Sequence, residues 1–290
     1  MNSAGFLAGL ISAISWGTVF IFAQIAVNRG AHPVLLSFIR FLVASLVLGL
    51  VIILGGTKLR VKKKDWLYFF ILGLVGIFGM STFVFYSLKY TSATSSSILM
   101  NANPIFMGLL AFLILREKIL FREVLGIILG FIGCWMVVAR FGGVPLNLKG
   151  NLLAITGALF WAFYSLLGKK FGLIDRYGAT VSTFLAISSG TILLFLFLLF
   201  SRIPLAQGKD AWLIGTYLGI VPTAVGFSLW FYALKNLKTI FCGALQFLAP
   251  LTTGLISVFW LKESISLSLV IGGVLIAAGI LSFFPPPNRT

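Results

Sequence analysis

One segment of this chain is present twice. Residues 85–119, FYSLKYTSATSSSILMNANPIFMGLLAFLILREKI, align without a gap to residues 231–265, FYALKNLKTIFCGALQFLAPLTTGLISVFWLKESI, at an offset of 146. Tyr86 meets Tyr232, Pro104 meets Pro250, Gly108 meets Gly254 and Glu117 meets Glu263. Outside the segment, Trp66 and Gly73 match Trp212 and Gly219, and Gly126 and Gly133 match Gly272 and Gly279. Trp16 corresponds to Trp161 at an offset of 145, so the duplication reaches the start of the chain with a one-residue indel. Two like units follow, residues 1–144 and 145–290, and any fold for this chain must be built from one unit used twice.

Each unit is too apolar for a soluble domain. The chain is 60% hydrophobic and 10% charged, with a mean hydropathy of +1.10, which places it among integral membrane proteins. Continuous apolar runs predict ten spans, approximately 4–28, 33–54, 66–89, 94–115, 122–140, 150–170, 179–200, 211–234, 239–261 and 266–284. Each run is long enough to cross a hydrocarbon core of ~30 Å as a helix. They lack the alternation of a β-barrel strand. The first run has no basic segment before it and is too long for a signal-peptide core, so it reads as a span. Cys134 and Cys242 lie inside apolar runs and read as small core residues, not as a disulfide or thiolate metal site.

The net charge of +16 points to orientation in the bilayer and not to nucleic acid. With both termini cytoplasmic, 14 Lys and Arg fall on the inner side and 7 on the outer, leaving Arg40 within a span. The KLRVKKK loop at residues 58–64 anchors this assignment. Five spans per unit is an odd number, so the second unit enters the membrane from the opposite face. The expected architecture is therefore all-α, with ten transmembrane helices as two inverted five-helix repeats. Alternating access needs such symmetry, because it requires two nearly equivalent conformations facing opposite sides.

The Ser15-Trp16-Gly17 element of the first span, the Arg40-Phe41-Leu42 of the second, and fourth and ninth spans ending in Leu-x-Glu before a Gly-rich span are informative together. With the five-plus-five arrangement, the chain resembles the EamA family of the drug/metabolite transporter superfamily. The resemblance covers essentially the whole chain. It implies a transporter in the inner or plasma membrane, and export as the direction; it fixes no substrate.

Candidate binding residues gather near the bilayer midplane. Pro104 and Pro250 lie mid-way along the fourth and ninth spans, where a proline frees the carbonyls of Met100 and Gln246. Two readings are open: packed kinks, or kinks lining a central cavity. Asn101, Asn103 and Gln246 lie beside them and should face inward, to bind cargo or to join helices. Gln246 is the strongest single polar candidate. Trp16 and Trp161 are mid-span mates, with Phe20 and Ser165 one turn further along, and Tyr86 and Trp230 approach from the third and eighth spans. A mostly apolar site with a few placed polar groups suits this set. Arg40 either holds a cargo carboxylate or is paired or snorkelling structurally.

All six carboxylates sit at span ends or in loops, and the single histidine, His32, lies in the first outer loop. The midplane thus lacks an acid to carry a proton, which favours facilitated or weakly coupled transport. Glu117 and Glu263 are expected to cap helices or pair with Arg116, Lys118 or Lys262. Gly126, Gly130 and Gly133 in the fifth span and Gly272, Gly273 and Gly279 in the tenth predict close helix packing, within one molecule or at a dimer seam. No nucleophile–base, paired-carboxylate or metal-ligand constellation lies at depth, so no enzyme chemistry and no cofactor are expected. The expected cargo is a small amphipathic metabolite such as an amino acid, and the lipid bilayer is the one certain partner, with the protein a monomer or homodimer. The alternative is a lipid-intermediate or nucleotide-sugar-type carrier on the same fold.

Overall fold

The computed structural model describes residues 2–87, 90, 93–139, 147–203, 208–260 and 266–284, and among these the fold is helical without strands. The first half comprises α1 (Ser3–Asn28), α2 (Pro33–Leu54), α3 (Asp65–Leu72), α4 (Met80–Ser87), α5 (Ala93–Met100), α6 (Asn103–Leu115) and α7 (Phe121–Ala139). The second comprises α8 (Leu148–Lys170), α9 (Leu173–Phe200), α10 (Lys209–Leu218), α11 (Gly226–Asn236), α12 (Thr239–Leu245), α13 (Leu248–Trp260) and α14 (Leu267–Leu281). Two π-helical stretches, π1 (Gly73–Gly79) and π2 (Gly219–Val225), connect α3 to α4 and α10 to α11.

Nine helical stretches among the described residues are long and apolar enough to cross a bilayer. They follow the predicted spans closely, and α14, at 15 residues, is the shorter tenth apolar helix. The protein is a multi-pass membrane protein. Many side chains that a soluble protein would hide are turned outward, Ile53, Leu54, Phe200 and Phe259 among them, each more than 70% exposed. Such a surface suits lipid, where the outward face is as apolar as the inward one. The repeat mates Trp66 and Trp212 are both exposed near the starts of α3 and α10, as suits aromatic anchors at a membrane interface.

Local chemistry repeats with the sequence. The Asn2 side chain caps α1 by accepting from the Gly5 N–H, and its repeat mate Asn147 caps α8 through Gly150. A capping side chain satisfies an N–H that has no partner within the helix. At Gly178 the backbone takes φ 78° and ψ 164° inside α9, a conformation open to glycine. It divides α9 into a short helical turn from Leu173 and the long run after the kink, which begins where the span was expected, at residue 179.

The halves interlock. α1 packs on α11 and α13 of the second half, while α8 packs on α4, α5 and α6 of the first. α2 pairs with its mate α9, and α7 with α14. The α7–α14 contact is the glycine seam expected between the fifth and tenth spans, and it forms within one chain. A Cβ at Gly133 would lie 2.5 Å from the Gly272 carbonyl oxygen, and one at Gly279 2.6 Å from that of Gly126. Gly130 and Gly273 instead face Phe247 and Leu251.

Candidate substrate cavity

The fourth and ninth spans are each interrupted for two residues. α5 ends at Met100 and α6 begins at Asn103; α12 ends at Leu245 and α13 begins at Leu248. Pro104 and Pro250 consequently stand in the first turns of α6 and α13, where a missing N–H costs nothing. The carbonyls expected to be freed are satisfied locally. Asn103 Nδ2 donates to the Met100 oxygen at 2.9 Å, and the Ala249 N–H donates to the Gln246 oxygen at 3.0 Å.

The two breaks face a cavity of about 120 Å³, lined by Trp16, Val19, Arg40, Met80, Met100, Asn101, Asn103, Trp161, Phe227, Gln246 and Ala249. Its aromatic wall is closely packed. The Trp16 ring meets Trp161 edge to face at 5.1 Å between centroids, and Trp161 meets Phe227 at 5.1 Å, within the range where the ring quadrupoles attract. Each indole is oriented by a bond at its nitrogen. Trp16 Nε1 donates to the Pro222 carbonyl at 2.9 Å, and Trp161 Nε1 donates to Gln246 Oε1 at 2.7 Å. Gln246 Nε2 in turn contacts Met107 Sδ at 3.0 Å.

Arg40 is held by π2. Its Nε donates to Thr223 Oγ1 at 2.5 Å, and that hydroxyl donates to the Leu218 carbonyl at 2.6 Å. The guanidinium lies over Phe41 and Phe227, 4.9 and 5.8 Å from the ring centroids, a cation–π arrangement. α2 can approach so closely because Gly219 has no side chain: a Cβ there would lie 2.7 Å from the Arg40 carbonyl oxygen. One π-helical turn therefore seats both Trp16 and Arg40, in keeping with the frequent use of π-bulges at functional sites.

Of the residues singled out from sequence, Trp16, Arg40, Asn101, Asn103, Trp161 and Gln246 line this cavity. Trp230 and Ser165 lie one layer behind it. Both are fully buried, joined by a bond from Trp230 Nε1 to Ser165 Oγ at 3.0 Å, with Trp230 against the Trp16 ring. Tyr86 is placed elsewhere, 6.3 Å from the Phe197 ring. The Phe20 side chain and all of Glu263 and Lys262 lie outside the described residues. Sequence reasoning missed Val19, Met80, Met100, Phe227, Ala249 and the supporting pair Pro222 and Thr223. Pro222, a proline inside the eighth apolar run beside the matched Gly219, was the available signal.

The described carboxylates are committed at helix ends. Glu117 does not pair with Arg116 or Lys118, as expected, but with Lys169 at 3.0 Å, and it accepts from the Thr239 N–H at 2.9 Å. It thereby caps α12 from the other half. Asp65 is fully buried between Arg176 at 2.9 Å and the Tyr177 hydroxyl at 2.6 Å, and Glu123 pairs with Lys238 at 2.8 Å. Asp175 and Asp210 meet Lys235 and Arg29 at the exposed surface.

Apolar helices in two like sets around a small cavity of aromatic, amide and guanidinium groups define a membrane transporter. The EamA-like transporter family model matches the chain twice, over residues 3–139 and 148–284, and the chain belongs to that family. An uncharacterized transporter of Archaeoglobus fulgidus is 29% identical across 97% of both chains, and another from that organism is 31% identical over 91% of this chain and 93% of the relative. The Bacillus subtilis uncharacterized transporter YyaM is 28% identical over 83% of this chain and 80% of its own length. A crystal structure with 23% identity superposes with a TM-score of 0.84 over 97% of each chain, a likeness of fold.

Proposed function

We propose that the protein is a secondary transporter of small organic solutes, amino acids or related amphipathic metabolites, working by alternating access in the inner or plasma membrane. In this reading α14 completes ten spans, the halves are inverted relative to each other, both termini are cytoplasmic, and cargo is exported. The exchanged contacts between halves support it, since each first helix packs on the third and fourth spans of the other. The observation that carries the proposal is the cavity between two helix breaks at matching places in the repeat. Discontinuous helices at mid-depth are where transporters of inverted-repeat architecture bind cargo. The lining groups among the described residues include no carboxylate or histidine, so transport is facilitated and not proton-driven.

Counterflow of labelled amino acids into proteoliposomes, with and without a pH gradient, tests this. Gradient-independent counterflow is expected, falling at least about tenfold in Trp16→Ala and Gln246→Ala, which remove an oriented wall or the group orienting it. Gradient-driven accumulation would overturn the facilitated mechanism. One observation favours a second reading, a lipid-intermediate carrier: a cleft of about 430 Å³ between α13 and α14 is lined only by apolar residues, including Leu251, Leu255, Phe259 and Val270. Binding of polyprenyl phosphates without counterflow of soluble cargo would support that reading instead.

A further inference from the structure

The charge balance of the cavity names a substrate class. Arg40 lies seven residues into α2, about 10 Å from its first residue, and among the described residues it is the one charged residue lining the cavity. Among the described residues, Nε is the one of its donors bonded to protein; the partner is a neutral hydroxyl, and two ring faces lie beside the guanidinium. Every described carboxylate is already paired with a different cation, Asp65 with Arg176, Glu117 with Lys169, Glu123 with Lys238, Asp175 with Lys235 and Asp210 with Arg29. A guanidinium at membrane depth without a counter-charge is costly, and the cost is relieved by an anion that accepts its free Nη donors. The same cavity holds an orphan acceptor. Asn103 is 6% exposed, its Nδ2 is spent on the Met100 carbonyl, and its Oδ1 has no partner.

We infer that the cargo is a monocarboxylate that also bears a hydrogen-bond donor, its carboxylate docked on Arg40 Nη1 and Nη2 and its donor on Asn103 Oδ1. The aromatic wall of Trp16, Trp161 and Phe227 takes the apolar remainder. A single guanidinium matches one negative charge, and its planar fork matches the two oxygens of a carboxylate. A phosphate monoester, at −1.5 to −2, would leave excess charge in a cavity with no second cation. This inference rests on the transporter reading above and narrows its cargo.

The test uses the full chain in proteoliposomes, with leucine, phenylalanine and tryptophan compared against their carboxamides, in which only the carboxylate is lost. Wild type is expected to bind the acids at least about tenfold more tightly than the amides, by ligand-induced thermal shift and by competition in counterflow. Arg40→Gln is expected to collapse that preference, with Arg40→Lys keeping part of it. Equal use of acid and amide, with a preference that Arg40→Gln leaves unmoved, would overturn the inference while the transporter reading stands. Counterflow of neither compound by wild type would overturn both for this cargo. The melting point of the empty protein separates binding from structure. Arg40→Gln and Arg40→Met should melt within a few degrees of wild type or above it, and a fall of more than about 5 °C in both would assign Arg40 to the fold and sink the proposal.

Discussion

The two π-helical stretches stand 146 residues apart in sequence and make the same backbone contact, yet only one of them carries polar chemistry. A Cβ at Gly73 of π1 would lie 2.8 Å from the Ala186 carbonyl oxygen, and one at Gly219 of π2 would lie 2.7 Å from that of Arg40. Ala186 and Arg40 are themselves repeat mates. The seventh span thus approaches the third as the second approaches the eighth, a contact made between halves with its geometry kept. The side chains are not kept. Where π2 has Pro222 and Thr223, which hold Trp16 and Arg40, π1 has Gly76 and Ile77, which pack on Tyr164 and Gly190. Asn103 has Ala249 as its mate, and Gln246 has Met100. Backbone packing repeats because both halves build the same helix pairings, while the polar groups facing the cavity differ between mates.

The comparison breaks most visibly at its shared part. Gly73→Val and Gly219→Val each force a side chain into a facing carbonyl, and both are expected to destabilise by about 3 kcal/mol, the upper end of the overpacking range. Thermal unfolding of the purified protein checks this, and a large loss in only one half would show that the two contacts are not equivalent. A smaller effect with the opposite symmetry is expected one turn on. Thr223→Val removes the acceptor of Arg40 Nε and should lower transport about tenfold, the consequence of roughly 1–3 kcal/mol for a buried donor left unpaired. The mate substitution Ile77→Val should leave counterflow near wild type. The smallest effect is shared again: Asn2→Ala and Asn147→Ala each remove a helix cap, at about 1 kcal/mol, and the two melting curves should shift alike.

Much of the cavity was legible from residues alone, for a definable reason. A proline or an amide inside an apolar run is an exception in lipid, so Pro104, Pro250, Asn101, Asn103 and Gln246 stand out within the fourth and ninth spans. Aromatic residues carried no such contrast. Tyr86 and Trp230 looked equivalent to Trp16 and Trp161 from sequence, but one faces Phe197 and the other lies behind the wall. α1, α4 and α8 carry no marked amphipathic stripe to reveal which face turns inward.

By itself the sequence determined the duplication, the positions of nearly all membrane helices, the small-residue faces of α7 and α14, and apolar runs without carboxylates at their middles. Those properties follow from composition and spacing along one dimension. Tertiary structure alone decided the rotation of each helix, the partnership of Glu117 with Lys169 across the halves, and the widening of two turns into π-helices. An α turn and a π turn differ by one residue in hydrogen-bond register, and both stretches open on a glycine, Gly73 and Gly219, set close against backbone of the other half.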